Sequence, residues 1–299
     1  MTASLTLVDP AALAPGKRAY NNAICAYGGR LLMAYRLEPP DGGPHRIAIA
    51  ELDRGTCRPR SNALVALSHA GAGTHCEDPR LFVFREKLWL SFTHARTGAD
   101  FFAQQMYAEL REEGGVWRGD AIAPDYGRNR RDGLEKNWTF FESRGALHAL
   151  YAPWRWELVR IDDAGRCDAV GGAGRAPRWD YGVMSGGTPP QRMPDGRFLT
   201  LLHSFTTSGA TRVYHVLAAV FAGEPPFALQ RISAAPILSG SGGWPLPHAG
   251  HANPPWSLFP AGHVLDGDRL VVSLGINDCR CALAELSLAG LALVAPSFR

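Results

Sequence analysis

Polar side chains able to do chemistry recur at the ends of five similar apolar segments in this 299-residue chain. Carboxylates, cations, amides and an imidazole all occur at these places, and packing alone does not select such groups repeatedly. We therefore expect their side chains to converge in one concave site. The recurring residues are Asn21, Arg36, Asp78, Arg80, His94, Lys136, Asn137, Thr188, His203, Asn277 and Asp278.

Asp78 belongs to the stretch Glu77-Asp78-Pro79-Arg80 and is the candidate for moving a proton. Breaking a glycosidic bond requires a proton for the leaving oxygen, which a carboxylic acid with a raised pKa supplies. Burial and Glu77 would raise the pKa of Asp78, whereas Arg80 would lower it. The alternative is a structural corner, in which the Asp78 carboxylate caps backbone N–H groups and pairs with Arg80.

The same reaction also needs a group that attacks the sugar from the opposite face. In an inverting hydrolase, a carboxylate about 6.5–9.5 Å away activates water, and Glu77, Glu135 and Asp278 are available for this. If phosphate attacks instead, cations replace that base and form an anion pocket. The candidates for the pocket are Arg36, Lys136, His203 and Arg130.

Two further functions are consistent with these residues. A glycosyltransferase using a nucleotide-sugar would place cations beside the departing diphosphate, and the basic run Arg128–Arg131 suits that role unless it is only a solvated loop. A non-catalytic sugar-binding protein would need aromatic faces for sugar rings, but neither an acid nor cations. Tryptophans near the recurring positions are Trp138, Trp154, Trp156, Trp179, Trp244 and Trp256.

Short β-strands must position these residues. A pattern of two apolar strands joined by a tight turn occurs five times, and turns such as Asp195-Gly196 and Asp266-Gly267 are strong hairpin signals. The copies begin roughly 50–70 residues apart, which is enough for one four-stranded blade each. We therefore predict an all-β fold, a five-bladed β-propeller, as a single domain over residues 1–299. The five copies are Tyr20–Arg36, Glu77–His94, Glu135–Pro153, Gly186–Phe205 and Trp256–Asp278.

Other strand-like stretches lie between the copies and are predicted to form the outer strands of the blades. Inner strands of a propeller run beside a common axis, so their ends meet at one mouth, where the recurring polar residues would gather. The predicted outer strands are His45–Leu52, Phe102–Leu110, Leu158–Ile161, Arg212–Phe221 and Cys281–Leu286.

Composition and charge argue against several other classes of protein. The net charge of +3 gives no basic face for nucleic acid, and no apolar run approaches the about 18 residues that span a membrane. No signal-peptide pattern is present, so we expect a cytoplasmic protein whose six cysteines are reduced. The histidine and cysteine pairs lack metal-site spacing, so neither a metal nor another cofactor is expected. No oligomeric state is predicted.

Four ordered stretches of the chain resemble glycoside hydrolase family 130, which comprises β-mannoside phosphorylases and mannosidases, together with related β-mannosyltransferases. The resemblance extends from Tyr20 to Leu286. The matching stretches are Glu77-Asp78-Pro79-Arg80, Lys136-Asn137, Gly186-Gly187-Thr188-Pro189-Pro190 followed by His203, and Phe259-Pro260-Ala261-Gly262 leading to Asn277-Asp278.

The resemblance implies an inverting enzyme that acts on a β-mannoside by phosphorolysis or hydrolysis, with Asp78 as general acid. Met184-Ser185 stands where phosphorylases of the family commonly carry a lysine. The implied substrate-binding residues are Asn21, Arg36, Glu77, Arg80, Lys136, Asn137 and Asp278, the last of which would bind sugar hydroxyls. The implied phosphate-binding residues are Arg36, Lys136, His203 and Tyr214.

Overall fold

The computed structural model describes residues 4–68, 74–97, 101–127, 134–172, 175–209, 211–240 and 256–299. Within these ranges the chain is almost entirely β-strand, as the sequence predicts. The exceptions are one short α-helix, α1 (Pro10–Leu13), and one 3-10 turn, Pro153–Arg155. The described residues contain no helix with the length and apolar character needed to cross a membrane.

The strands of the described residues are numbered here in chain order. They are β1 (Ser4–Leu7), β2 (Arg18–Tyr27), β3 (Arg30–Glu38), β4 (Arg46–Leu52), β5 (Pro59–Leu67), β6 (His75–Phe84), β7 (Lys87–Arg96), β8 (Phe102–Glu109), β9 (Arg111–Glu113), β10 (Val116–Gly119), β11 (Thr139–Ser143), β12 (Ala146–Ala152), β13 (Glu157–Ile161), β14 (Cys167–Gly171), β15 (Ser185–Gly186), β16 (Gln191–Arg192), β17 (Phe198–Ser208), β18 (Thr211–Phe221), β19 (Leu229–Ser233), β20 (Leu238–Ser239), β21 (Leu258–Asp266), β22 (Arg269–Ile276), β23 (Arg280–Ser287) and β24 (Leu293–Val294).

In the described ranges these strands form five sheets, which we number from first to fifth in chain order. Their strand orders are β2-β3-β4-β5-β10-β9, β6-β7-β8, β11-β12-β13-β14, β15-β17-β18-β19-β24 and β1-β23-β22-β21, with β16 on β17 and β20 on β18. Each predicted two-strand copy supplies the first strands of one sheet, and each predicted outer strand follows in the same sheet.

Tight turns join the first two strands of most sheets. Gly28-Gly29 has φ values of 54° and 75°, and Arg144-Gly145 has 53° and 71°. Positive φ at both central residues is the geometry of the type I′ turn, whose twist matches that of the flanking strands. Arg85-Glu86 adopts the same left-handed backbone without glycine, and the Arg85 N–H donates to Glu142 Oε2 at 2.7 Å.

The hydrophobic core is divided into clusters that lie between neighbouring sheets. Alternate residues of a strand face opposite sides of its sheet, and β17 shows the result. Phe198 and Leu202 pack in the cluster shared with the third sheet, whereas Leu199 and Leu201 pack in the cluster shared with the fifth. Corresponding clusters lie between the first and second, the second and third, and the fifth and first sheets. Both faces of each sheet are therefore buried.

The two ends of the described chain meet in the fifth sheet. β1 pairs antiparallel with β23, so that Ser4 lies opposite Glu285 and Leu7 opposite Ala282. The first strands of the sheets also contact one another, since β2 touches both β6 and β21, and β6 touches β11. The succession of sheets therefore returns to its starting point.

His263 provides a stability test of this buried arrangement. His263 lies on β21 and is 1% exposed, and its Nδ1 lies 2.8 Å from the Thr188 hydroxyl oxygen. Burial lowers the pKa of His263 to about 3, whereas the unfolded chain takes up a proton near pH 6.5. The stability due to the neutral ring is therefore complete above pH 6.5 and is lost as the pH falls towards 3.

We expect His263→Gln to reduce the acid sensitivity of the fold. Between pH 7 and pH 5 the variant should lose about 2 kcal/mol less of its unfolding free energy than the natural chain, as measured by urea denaturation. Equal losses for the two proteins over this pH range would contradict the assignment of a buried neutral imidazole.

Candidate functional site

The predicted site residues lie where the first strands of the sheets are interrupted by bulges. The pairing of β2 with β3 shifts between Tyr20 and Ala23, and that of β6 with β7 shifts between Glu77 and Arg80. Asn21 and Asp78 lie inside these bulges with φ of 50° and 52°. A bulge re-aims a side chain, and non-glycine residues with such backbones cluster at functional sites because the strain must be maintained by the surrounding structure.

Three more left-handed residues belong to the same region: Asn137, Asn277 and Asp278, with φ of 66°, 49° and 48°. Asparagine and aspartate tolerate this backbone better than most residues. Asn277 is held in place because its Oδ1 accepts from the Ser257 N–H at 2.9 Å. The amides and carboxylates singled out from the sequence are thus also the residues with unusual backbone conformations.

Asn21 connects two partly buried carboxylates. Its Nδ2 lies 2.8 Å from Asp78 Oδ1 and 3.3 Å from Asp278 Oδ1. The two aspartates are therefore close neighbours, although they are 200 positions apart in the sequence. Because the Asn21 amide nitrogen donates to both carboxylates, it fixes their positions relative to each other.

The two aspartates differ in the direction of their pKa shifts. Burial alone would raise the pKa of Asp78, but Arg36, Lys136 and Arg80, together with the Asn21 amide, lower it below its ordinary value. Burial and the neighbouring Asp78 charge raise the pKa of Asp278. A pair of carboxyl groups with opposite shifts is typical of acid–base sites. The raised pKa that the sequence analysis requires for Asp78 is therefore absent in the unliganded chain.

The Arg36 guanidinium lies beside both Glu77 and Asp78, and it is closer to Glu77. Its Nη2 lies 2.8 Å from Glu77 Oε1, and its Nη1 lies 3.7 Å from Asp78 Oδ1. His45 Nδ1 lies 2.8 Å from the same Glu77 oxygen. Arg36 Nη2 also lies 2.6 Å from this His45 nitrogen, so the three side chains form one cluster. His45 was not identified from the sequence, where it only begins a predicted outer strand.

His45, His75 and Glu77 together are the one group of described residues with ligands for a metal ion. Their ligand atoms lie within 4.8 Å of one another. However, the Arg36 guanidinium already donates to the Glu77 carboxylate at this place, and its positive charge opposes a second cation. We therefore interpret the group as a network of hydrogen bonds and ion pairs that holds Glu77.

Arg80 is fully buried, and its N–H groups donate hydrogen bonds to other residues of the protein. Its Nε donates to Gly187 O at 2.6 Å, its Nη2 to Asn137 Oδ1 at 2.9 Å and its Nη1 to Asp78 O at 3.1 Å. Burial lowers the pKa of Arg80 to about 10, so the side chain remains charged near neutral pH. These contacts join segments of the second, third and fourth sheets, whereas contact between Arg80 and substrate stays a prediction.

The glycine pair Gly186-Gly187 allows these segments to approach closely. A Cβ atom at Gly186 would lie 1.9 Å from Asn137 O, and one at Gly187 would lie 2.3 Å from Leu201 O. A side chain at Gly186 would therefore push the fourth sheet away from Asn137, and one at Gly187 would push this segment away from β17 of its own sheet. This explains the need for glycines in the Gly-Gly-Thr-Pro-Pro stretch.

His203 and Tyr214 lie beside each other on β17 and β18. Their rings are nearly parallel, with centroids 6.1 Å apart. Burial, and then Arg80 and Lys136, lower the pKa of His203 to about 3, so the ring is neutral. Its buried Nδ1 has no hydrogen-bond partner among the described residues. A neutral imidazole in this position is suited to hydrogen bonding with a bound molecule.

Tyr214 is hydrogen-bonded to a further cation near the site, Arg212. Burial raises the pKa of Tyr214, while a hydrogen bond from Arg212 lowers it in part. Arg212 was missed in the sequence because it only begins a predicted outer strand, two residues before Tyr214. Lys136 lines a cavity of about 100 Å³ together with Asn137.

The structure thus brings the predicted residues together around Asp78, although their individual roles stay predictions. Glu135, the third candidate base, instead accepts from the Trp138 indole at 3.0 Å and from the Tyr151 hydroxyl at 3.3 Å. The basic run Arg128–Arg131 and its Arg130 lie outside the described residues, as does Trp244.

Comparisons with known proteins find similar folds but no similar sequences. No protein-family model and no curated protein matches the chain. A β-1,2-mannobiose phosphorylase from Listeria innocua superposes with a TM-score of 0.67 at 15% identity, covering 97% of this chain and 98% of that one. A glycosyl hydrolase from Bacteroides ovatus gives 0.64 at 16% identity, covering 94% and 87%.

A third similar structure is a mannose phosphorylase from Leishmania mexicana in complex with a phosphate ion. It has a TM-score of 0.56 and 16% identity, and covers 94% of this chain and 89% of its own. At these identities the likeness establishes a shared fold. The solved structures that share it include mannoside phosphorylases and glycoside hydrolases.

Replacing Arg80 tests its role in joining the sheets. We expect Arg80→Met to lower the unfolding free energy by about 3–5 kcal/mol, because buried acceptors lose a charged donor. Arg192→Met is the matched control, since Arg192 also donates to backbone carbonyls, at Gly196 and Gly223, but is exposed. The control should lose less than about 1 kcal/mol in the same denaturation assay. Similar losses for both variants would contradict this role.

Proposed function

We propose that this chain is an inverting glycoside phosphorylase that acts on β-mannosides, with Asp78 as the general acid. The observation that carries the proposal is a cation and two neutral polar rings next to a partly buried carboxyl group. Lys136, His203 and Tyr214 offer a cation and neutral donors, and they adjoin Asp78. The shared fold with mannoside phosphorylases supports the same reaction class.

The fold proposed for this enzyme is a five-bladed β-propeller in which each sheet is one blade. Three features support it: apolar clusters between successive sheets, contacts between their first strands, and the pairing of β1 with β23. In a propeller the N-terminal strand commonly completes the last blade, which would explain that pairing. The bulged ends of the first strands would then surround one mouth.

The Asp78 carboxyl group would become protonated only when an anion binds. In the unliganded chain, cations keep the pKa of its carboxyl group low. A phosphate dianion beside Lys136 would offset that positive charge and raise the pKa of Asp78. The acid would thus become competent when the nucleophile is present, which is the order that phosphorolysis requires.

The sugar would be held by the groups around Asn21. Asn21 donates to Asp278 Oδ1, and the carboxyl group of Asp278 has further acceptor capacity for hydroxyl donors. Such groups suit sugar hydroxyls. Arg80 would act as a positioning residue, because it fixes the Asp78 backbone and the Asn137 side chain.

Phosphate is favoured over water as the nucleophile because the candidate bases are otherwise engaged. Asp78 and Asp278 both reach one Asn21 nitrogen, which is closer than the about 6.5–9.5 Å of an inverting hydrolase. Glu77 is paired with Arg36, and Glu135 accepts from Trp138. Hydrolysis is the second candidate, since Met184-Ser185 replaces the lysine common in the phosphorylases that the sequence resembles.

Substitution of Asp78 is the direct test of the proposed acid. We expect Asp78→Asn to lower turnover of β-mannosides with phosphate by 10²–10⁴-fold, because an amide cannot donate the proton. Asp195→Asn, in an exposed hairpin turn, is the control that should keep normal turnover. Release of mannose 1-phosphate, rather than mannose, would be followed by chromatography. Mannose as the sole product would favour the hydrolase, and no turnover by the natural chain would overturn both.

Lys136 provides a second test through the pH dependence of turnover. The general acid must be protonated, so activity falls as the pH rises through its pKa. Because Lys136 lowers the pKa of Asp78, Lys136→Met should move this high-pH limb to higher pH. The profile is measured at saturating phosphate, with Lys87→Met as the exposed control. An unchanged high-pH limb would show that Lys136 does not affect the pKa of the general acid.

A further inference from the structure

A separate pocket lies at the far end of the second sheet from Asp78. It has a volume of about 230 Å³, is formed between the second and third sheets, and is lined by Phe84, Trp89 and Tyr107 among others. We call it the Trp89 pocket. Phe84 follows Asp78 by six residues along β6, and this length of extended strand spans roughly 20 Å. The Trp89 pocket is therefore remote from the predicted catalytic residues.

The floor of the Trp89 pocket is aromatic. Trp89 is partly exposed, whereas Phe84 and Tyr107 are only 5% and 2% exposed. The ring centroids of these two residues lie 5.7 and 5.9 Å from that of Trp89. Rings this close to one another leave no slot that a flat molecule could enter. Trp89 is therefore a single platform that is supported from behind by buried rings.

Charged side chains surround this platform and are paired with one another. The ion pairs are Arg85–Asp163, Lys87–Glu109 and Arg166–Asp162, at 3.2, 2.9 and 2.9 Å. Because each charge has an opposite partner, the Trp89 pocket has no marked attraction for an anion or a cation. The same guanidinium and carboxylate groups retain donors and acceptors that suit hydroxyl groups.

Trp89 also has an unsatisfied polar atom. Its indole N–H is buried and has no acceptor among the described residues. Buried donors in folded proteins almost always have a partner, either in the protein or in a molecule bound to it. An oxygen atom held at the wall of the Trp89 pocket would supply the missing acceptor.

The hairpin turn beside the Trp89 pocket has an unusual backbone. Arg85 and Glu86 have φ values of 49° and 59°, whereas the corresponding turn of the first sheet uses Gly28-Gly29. Left-handed residues other than glycine persist only where the surroundings hold them, and they cluster at ligand sites. Here the Arg85 guanidinium lies 4.8 Å from the centroid of the Phe84 ring. The turn thus holds a planar donor group at the edge of the pocket.

These features together fit one sugar ring. A pyranose presents C–H bonds on its face, which pack on an indole, and hydroxyl groups around its edge, which meet polar side chains. The volume of about 230 Å³ is below the 300–1,000 Å³ of sites for larger small molecules, so a single ring fills it.

We propose that the Trp89 pocket is a second carbohydrate-binding site, which holds one neutral pyranose stacked on Trp89 and takes no part in catalysis. None of its lining residues belongs to the candidate site around Asp78. The inference therefore goes beyond the proposed function and does not depend on it.

Titration of the natural chain, labelled with ¹⁵N in its tryptophans, tests this site. Each of the eight tryptophans gives one indole N–H signal, and the Trp89 signal is identified by its absence from the spectrum of Trp89→Phe. We expect methyl β-D-glucoside or methyl β-D-mannoside to shift the Trp89 signal, with a dissociation constant of about 1–10 mM because so small a ligand binds weakly. The Asp78→Asn protein should show the same shift.

Two variants test the residues that form the pocket. Asp163→Ala should weaken glycoside binding about threefold, because a hydrogen-bonding group and the partner of Arg85 are lost. Asp120→Ala is the matched control, since Asp120 is similarly exposed and pairs with Arg111 at 3.0 Å but does not line the pocket. Trp89→Phe should weaken binding about fivefold, measured by saturation-transfer NMR, because its face is smaller. Turnover should be unchanged in all three variants.

Three outcomes would overturn the second site. One is a Trp89 signal that neither glycoside shifts. Another is tighter binding of adenosine or inorganic phosphate than of either glycoside, because the ligand class would then be wrong. The third is a shift that disappears in Asp78→Asn, which would assign the effect to the candidate site. Turnover of β-mannosides without a Trp89 shift would refute this inference alone, and a Trp89 shift without turnover would refute the proposed function alone.

Discussion

The arrangement of the site depends on one buried guanidinium. Arg80 has no exposed surface, yet it donates to the backbone of Asp78, to the Asn137 side chain and to the carbonyl of Gly187. A buried charge is tolerated only when its donors are satisfied, so these acceptors must stay in register with one another. Three sheets are thereby held at fixed positions at the point where their polar ends meet.

Charge balance around Asp78 follows from that constraint. Carboxylates from Glu77, Asp78 and Asp278 lie among the cations Arg36, Lys136 and Arg80. In a setting with little water, each group is sensitive to any added charge. The proposed phosphate anion would therefore shift these protonation equilibria when it binds, so that binding and acid–base chemistry would be coupled through electrostatics.

The sequence contains the local signals of this fold but few of its long-range contacts. Hairpin turns, alternating strands and the recurrence of the Asp78 and Asp278 positions are encoded within short stretches, and the strands follow them. The left-handed bulge at Asn21, the burial of Arg80 and the contact of His45 with Glu77 depend on segments distant in sequence. The periodicity of apolar residues in the sequence carries no information on such contacts, and for this reason His45 and Arg212 were not identified from the sequence.

The pairing of β1 with β23 has a consequence for how the protein is made. Ser4–Leu7 are synthesised long before β23, the strand with which they pair. Earlier sheets can pack as they emerge, while this N-terminal strand must wait with its hydrogen-bonding edge uncovered. The slow, non-local closure of the fifth sheet therefore waits until β23 has been synthesised.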